Sequence, residues 1–329
     1  MPFWLACVWA VLAGVSVTLQ VGAGIVLNNT SSPKLAHAAY VTVGNLAMGA
    51  LWLMLLAILQ GGNRPSRPKH LWSTWGGMVI LPAFVCTPAA ALLGTQLTLT
   101  LLLVGMMVAA FLFDFCGTQL RVSRYFVLGI VLLLAAVCLQ ILIALPTVHG
   151  SDLRLVVYIF GSVLAGGCYS MQAKMNNRLA CDLGSSARAA AWCNVTAMLW
   201  GLPLCWVLVD LHVPLDFVMK DWWIWILLGL QSAFYTYSLA ELPKVLGYSV
   251  MFILVITGKM CFAAFADTMG LFAKPLVLSP WRYLSVVATL LGAASFAFNQ
   301  AKHPSQVRPR QEEIPYSCEQ DLHDSLSEQ

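Results

Sequence analysis

The chain has 329 residues, of which 60% are hydrophobic and only 10% charged, with a formal net charge of +4. Soluble domains carry about 25% charged residues, and a soluble core of this size could not hide so much apolar surface. Composition therefore excludes a soluble enzyme, a disulfide-rich secreted domain, a disordered chain and a nucleic-acid binder. The apolar stretches are continuous rather than alternating, which excludes a β-barrel.

A spanning helix needs about 20 mostly apolar residues. Taken in chain order, the runs between charged or Pro/Gly-rich breaks predict ten spans: 4–27, 36–59, 72–91, 95–115, 124–145, 155–175, 187–209, 222–240, 246–267 and 281–299. The first run lacks a basic leading segment and is longer than the apolar core of a signal peptide, so it reads as a span. The shortest breaks fall near Gly94 and across 241–246, and the most polar is 60–70, with Arg64, Arg67 and Lys69. Pro82, Pro88, Pro203 and Pro243 are expected to kink helices or mark breaks. Trp222, Trp223 and Trp225 open the eighth span and read as an interfacial aromatic belt. The sequons at Asn28 and Asn29 lie in a short loop against the membrane and are not expected to be modified. Residues 301–329 hold six of the 14 acidic residues and no apolar run. They read as a disordered tail.

Placing the N-terminus in the cytoplasm puts 12 of the 18 Lys and Arg residues in inside segments and 5 in outside segments, with Lys259 inside a span. This bias predicts both termini cytoplasmic. The expected class is an all-α multi-pass membrane protein of the plasma membrane.

An internal repeat gives the organisation. Residues 11–20, VLAGVSVTLQ, and 163–172, VLAGGCYSMQ, share five of ten positions at an offset of 152, including Gly14/Gly166 and Gln20/Gln172. The same offset aligns Leu27 with Leu179 and Gly49 with Gly201. An offset of 153 then aligns Gly94 with Gly247, Gly105 with Gly258, Asp114 with Asp267 and Gly117 with Gly270. Matched Gln, Asp and Gly residues carry more weight than matched Leu or Val, because polar groups are costly at membrane depth. Each unit, 1–150 and 151–300, holds five spans, an odd number. The expectation is therefore ten transmembrane helices in two inverted five-helix repeats. That is the architecture of many carriers that rock between outward-open and inward-open forms.

The same residues carry a family resemblance. A span with Gly and then Gln, an Ala-Ala start to the next span, and a Gly-x8-Asp-x2-Gly motif closing span four resemble the YdcZ-type family of the drug/metabolite transporter superfamily. The stretch from Gln172 through Asn176 to Leu179 is similar to that family's Gln-x3-Asn-x2-Leu pattern. The first half departs from it at Gly24, and Met106 and Lys259 follow Gly105 and Gly258 where the family usually has Gln. The resemblance implies five-span units, here fused in tandem, and an exporter or exchanger of small metabolites.

Few polar residues fall at membrane depth, and these are the site candidates. Gln20 and Gln172 could hydrogen-bond a polar substrate or clamp helices together. Asn176 follows one turn on from Gln172, at a substrate or interfacial position. Lys259 could neutralise an anionic substrate or exchange a proton, or it could be held in a salt bridge. Asp267, two turns further along, is poorly spaced for such a pair. Asp114 and Asp267 close spans four and nine, as gating or coupling groups or as helix-end caps. Gly14 and Gly166, with Ala10 and Ser162 four residues earlier, serve close helix packing inside the chain or a homodimer contact. Gly105 and Gly258 could let spans four and nine bend.

No catalytic set, metal cluster or nucleotide-binding GxxxxGK[ST] motif is present, so no enzyme activity and no cofactor are expected. The cysteines read as packing residues and the six histidines as scattered. The expected partners are a small-molecule substrate and the bilayer, with no nucleic acid. A secondary transporter is the leading expectation; a non-transporting scaffold or a channel is the alternative.

Overall fold

The computed structural model describes residues 1–29, 35–61, 68–79, 85–86, 89, 93, 95–117, 124–144, 152–208, 222–271 and 280–302. All regular structure among them is helical. In a hydrocarbon environment a backbone must satisfy its own polar groups, and a helix does this within one segment. Helix α1 runs Phe3–Asn29 and α2 Leu35–Leu59. A 3-10 turn over Leu71–Trp75 leads into α3, Gly76–Val79. Then come α4 (Thr95–Gly117), α5 (Arg124–Ala144), α6 (Asp152–Leu183), α7 (Ser186–Leu208), α8 (Trp222–Glu241), α9 (Tyr248–Met269) and α10 (Pro280–Lys302), with a one-turn helix over Pro243–Leu246.

By length and apolar composition alone, three described stretches suffice to cross a membrane: Phe3–Ala23, Val41–Leu59 and Leu155–Leu183. Shorter apolar stretches cover Leu97–Ala109, Val127–Ala136, Val250–Ala266 and Tyr283–Gly292. Exposed apolar side chains recur at helical spacing on the outer faces, as at Val8 and Leu12, Phe160 and Leu164, and Leu284, Val287 and Leu291. A soluble monomer rarely shows apolar patches of this extent.

Several details differ from the sequence reading. Helix α6 continues eight residues beyond the predicted end at 175. The added turns are polar, but their side chains find partners: Asn177 Nδ2 donates to the Ala240 carbonyl at 3.1 Å, and Arg178 pairs with Asp182 one turn on. The third span opens as a 3-10 turn, because the Ser73 and Thr74 hydroxyls bond the carbonyls three residues back. Trp222 and Trp223 are exposed, but Trp225 turns inward against Val41 and Gly44. Pro203 lies inside α7, and Pro243 begins the one-turn helix. Pro82 and Pro88, the loop at 30–34 and the tail from 303 lie outside the described residues.

Two turns set the helix order. Gly184, at φ 63°, reverses the chain between α6 and α7, and Gly247, at φ 73°, stands between the one-turn helix and α9. Both angles favour glycine, which has no Cβ to clash. Helix α1 packs against α8 and α9, α6 against α3, α4 and α7, α2 against α7 and α8, and α5 against α10. The main core gathers where α1, α4, α6, α8 and α9 meet. It includes Ala10, Met106, Ala173, Tyr235, Phe252 and Met260.

Candidate functional site

Two helix crossings frame the centre of the molecule. At the first, Gly14 of α1 lies against the Val255 carbonyl of α9, and Gly258 of α9 lies against the Val11 carbonyl of α1. At the second, Gly105 of α4 lies against the Val163 carbonyl of α6, and Gly166 of α6 against the Leu102 carbonyl of α4. A Cβ at any of the four would overlap backbone. Such contacts let helices approach until dispersion and Cα–H···O contacts form between backbones. A hydroxyl reinforces each crossing. Thr18 Oγ1 donates to the Lys259 carbonyl at 3.1 Å, and Ser170 Oγ donates to the Met106 carbonyl at 2.8 Å.

Lys259 follows Gly258, and its side chain enters the core with 3% of the residue exposed. Its ammonium lies 5.1 Å from the ring centroid of Tyr235 on α8 and 5.8 Å from that of Tyr169 on α6. The two rings meet edge to face, with centroids 6.0 Å apart. The ring faces supply a favourable quadrupole field for the cation. Among the described residues no carboxylate lies within ion-pair distance of Lys259, and the buried Tyr235 hydroxyl has no hydrogen-bond partner. Trp9 supports this wall by stacking on Tyr237 and donating to Ser238 Oγ at 2.7 Å.

A second polar group lies one turn along α6 from Tyr169. Gln172 is buried and its Nε2 donates to Cys193 Sγ at 3.0 Å, while its Oε1 has no partner among the described residues. Asn176 is fully buried beside Cys193, with no nitrogen or oxygen partner for either amide atom among the described residues, and the Gly76 backbone closes over it. Asn194 accepts from Thr236 at 3.1 Å, while its own Nδ2 has no partner among the described residues. Unsatisfied buried amides are costly, so a cluster of them points to a ligand or water. Replacing Gln172 by leucine decides between clamp and ligand contact. A clamp predicts a loss of thermal stability of about 1–3 kcal/mol. A ligand contact predicts a ligand-free protein as stable as wild type, and that is the expected result in a melting curve.

Among the expected site residues, the structure brings Lys259 to Tyr169, one turn from Gln172 and two from Asn176. Gln20 is half-buried on α1. The side chains of Asp114 and Asp267 lie outside the described residues, although both positions belong to helices, α4 and α9.

Sequence reading missed Tyr169 and Tyr235, because an aromatic inside an apolar run looks like packing. It read the histidines as scattered; His70 stands in a polar cluster at the end of α6. Asp182, buried at the end of α6, accepts from the backbone N–H groups of Lys69 and His70 at 3.1 and 3.2 Å, with His70 Nδ1 at 3.4 Å and Arg178 Nε at 3.8 Å. The Arg178/Asp182 spacing of four was the available signal. Nearby, Ser186 and Lys244 both donate to Glu241, Lys244 at 2.9 Å. Burial raises the Glu241 carboxyl, but these two donors together hold it below its ordinary value. Removing the Asp182 carboxylate strands two backbone donors. Asp182→Ala is expected to cost on the order of 2 kcal/mol, read as a lower melting temperature of the purified protein.

Helices with apolar outer faces and few charges among them are the features of an integral membrane protein. Residues 157–295 match the family described as "Putative inner membrane exporter, YdcZ". The likeness read from Gln172, Asn176 and Leu179 therefore stands for the second half of the chain, and the chain is an integral membrane protein of the transporter type. A solved crystal structure aligns over 91% of this chain and 97% of its own, with a TM-score of 0.59 and 16% identity. At that identity the likeness is one of fold alone. No curated protein matches the sequence.

Proposed function

We propose that the chain is a secondary transporter, an exporter or exchanger of a small polar metabolite, that works by alternating access between two inverted five-helix repeats. Helices α1–α5 and α6–α10 form the repeats, and the substrate site lies between them near Lys259, Gln172 and Asn176. The observation that carries this reading is the correspondence of the two crossings. Thr18 and Ser170 differ by 152, and Met106 and Lys259 by 153, so the two hydroxyl–carbonyl bonds are equivalent contacts under the repeat. The glycine pairs obey the same offsets. Gly77, against α7, and Gly229, against α2, also differ by 152. Two units that exchange equivalent contacts can rock about their shared axis between states of nearly equal energy.

With the N-terminus cytoplasmic, the Asp182 and Glu241 clusters lie at the cytoplasmic end. They tie α6 to the segment before α3 and α7 to α8 there, as a closed gate would. Asp114 and Asp267 then stand at opposite membrane faces. The exposed apolar faces contact plasma-membrane lipid, and a homodimer would use part of them. The test is uptake into proteoliposomes of labelled amino acids, nucleosides, organic anions and organic cations. Saturable uptake accelerated by unlabelled substrate on the far side is the expected result. Linear flux would favour a channel, and no flux for any class would favour a scaffold.

A further inference from the structure

Lys259 places its amine in the core, and among the described residues no carboxylate lies within ion-pair distance of it. Before residue 301 there are eight acidic residues. Asp182 and Glu241 are engaged elsewhere, at the α6 and α8 ends. Asp267 lies eight residues along the same helix, about 12 Å of rise. The Thr100 hydroxyl meets Met260 Sδ at 3.8 Å, which fixes the height at which α4 passes α9. Asp114 is fourteen residues beyond Thr100, about 21 Å of rise. Asp152 opens α6 seventeen residues before Tyr169, about 26 Å away along the axis. Asp210, Asp216 and Asp221 precede α8 in the sequence and lie outside the described residues.

A buried charge is expensive unless something pairs with it. The geometry points to a ligand anion as the partner: the site binds a small organic monocarboxylate, its carboxylate held by Lys259 Nζ and the Tyr235 hydroxyl. Three features fix the class. One ammonium balances one negative charge, and a dianion would leave the second uncompensated in low dielectric. The Tyr235 hydroxyl has no hydrogen-bond partner among the described residues and the ammonium no carboxylate, and a ligand carboxylate offers an oxygen to each. The Tyr169 and Tyr235 rings flank the ammonium, so the rest of the ligand meets aromatic faces. A cationic ligand would find the ring faces already occupied by Lys259. This assignment rests on the transporter reading for its place in a cycle, but the binding it predicts does not.

The test uses matched pairs that differ only in charge: benzoate with benzamide, and lactate with lactamide. Their binding to the purified full-length protein is followed by calorimetry and thermal shift, alongside tetramethylammonium. At least one acid should bind tenfold or more tightly than its amide. That preference should vanish in Lys259→Met and fall about tenfold in Tyr235→Phe, while ligand-free Lys259→Met melts no lower than wild type. Equal binding of acid and amide, no binding of either acid, binding of tetramethylammonium alone, or an unchanged preference in Lys259→Met would each overturn the proposal. A Lys259→Met protein that melts well below wild type without ligand would overturn it too, because the lysine would then have a partner within the chain. Lactate counterflow in proteoliposomes separates the two readings. Binding without saturable flux would keep the site and refute transport. Saturable flux of a neutral metabolite, indifferent to Lys259→Met, would keep transport and refute the site.

Discussion

Gly166→Ala is expected to destabilise the protein by on the order of 3 kcal/mol, and Gly14→Ala by a similar amount. The added methyl has no room at either place. At Gly166 it falls on the Leu102 carbonyl with Met106 N beside it, and at Gly14 on the Val255 carbonyl with Lys259 N beside it. These are backbone atoms, so no side chain can rotate away, and the helices must separate. Overpacking a tight core costs about 1–3 kcal/mol, and parting two helices lies at the upper end. The control is Gly167→Ala, one residue along α6, where the new methyl would stand 3.8 Å from Ala109 Cβ. That variant should melt at or above the wild-type temperature, since alanine is the better helix former by about 1 kcal/mol. If Gly166→Ala and Gly167→Ala melt together, the α4–α6 crossing is looser than described.

The second large effect is on transport. Lys259→Met should abolish saturable uptake, a loss of a hundredfold or more, while the protein inserts and purifies normally. The lysine is the one basic residue deep within a predicted span, and the stability of the ligand-free fold gains little from an ammonium without an anion. Methionine keeps the length and apolar character of the side chain and preserves the packing against Tyr169 and Tyr235. Lys259→Arg tests geometry: it retains the charge but forks it, and partial activity is expected. Wild-type transport by Lys259→Met would remove the residue from the substrate path.

Much of the architecture was legible because apolar runs of span length have no other use. Helices overlap the predicted runs where residues are described, with the exceptions of the 3-10 turn that opens the third run and the added turns of α6. The glutamine match was visible because amides are rare enough at membrane depth for coincidence to carry information, and the glycines recur beside it at the same offsets, 152 and 153. What was not legible depends on contacts across long sequence separations. The Tyr169–Tyr235 wall joins residues on two different helices, and a tyrosine in an apolar stretch gives no sign of its partner. The Asp182 contacts reach back to Lys69 and His70 over more than a hundred residues. The length of α6 was underread because polarity after Gln172 resembles the end of a span, whereas those side chains bond α8 and each other. Trp225 reads with its neighbours as a belt residue, although a helix turns positions two apart, such as Trp223 and Trp225, onto different faces.

The inversion of the two halves is the central claim, and it can be tested without knowing the substrate. Asp114 and Asp267 occupy equivalent positions at the ends of α4 and α9. Each is replaced in turn by cysteine in a chain whose native cysteines have been changed to serine or alanine, and labelled in intact cells with a membrane-impermeant maleimide. With the two halves inverted, Asp267→Cys is labelled from outside, while Asp114→Cys is labelled only after the membrane is opened. Labelling of both from the same face would contradict the inverted repeat.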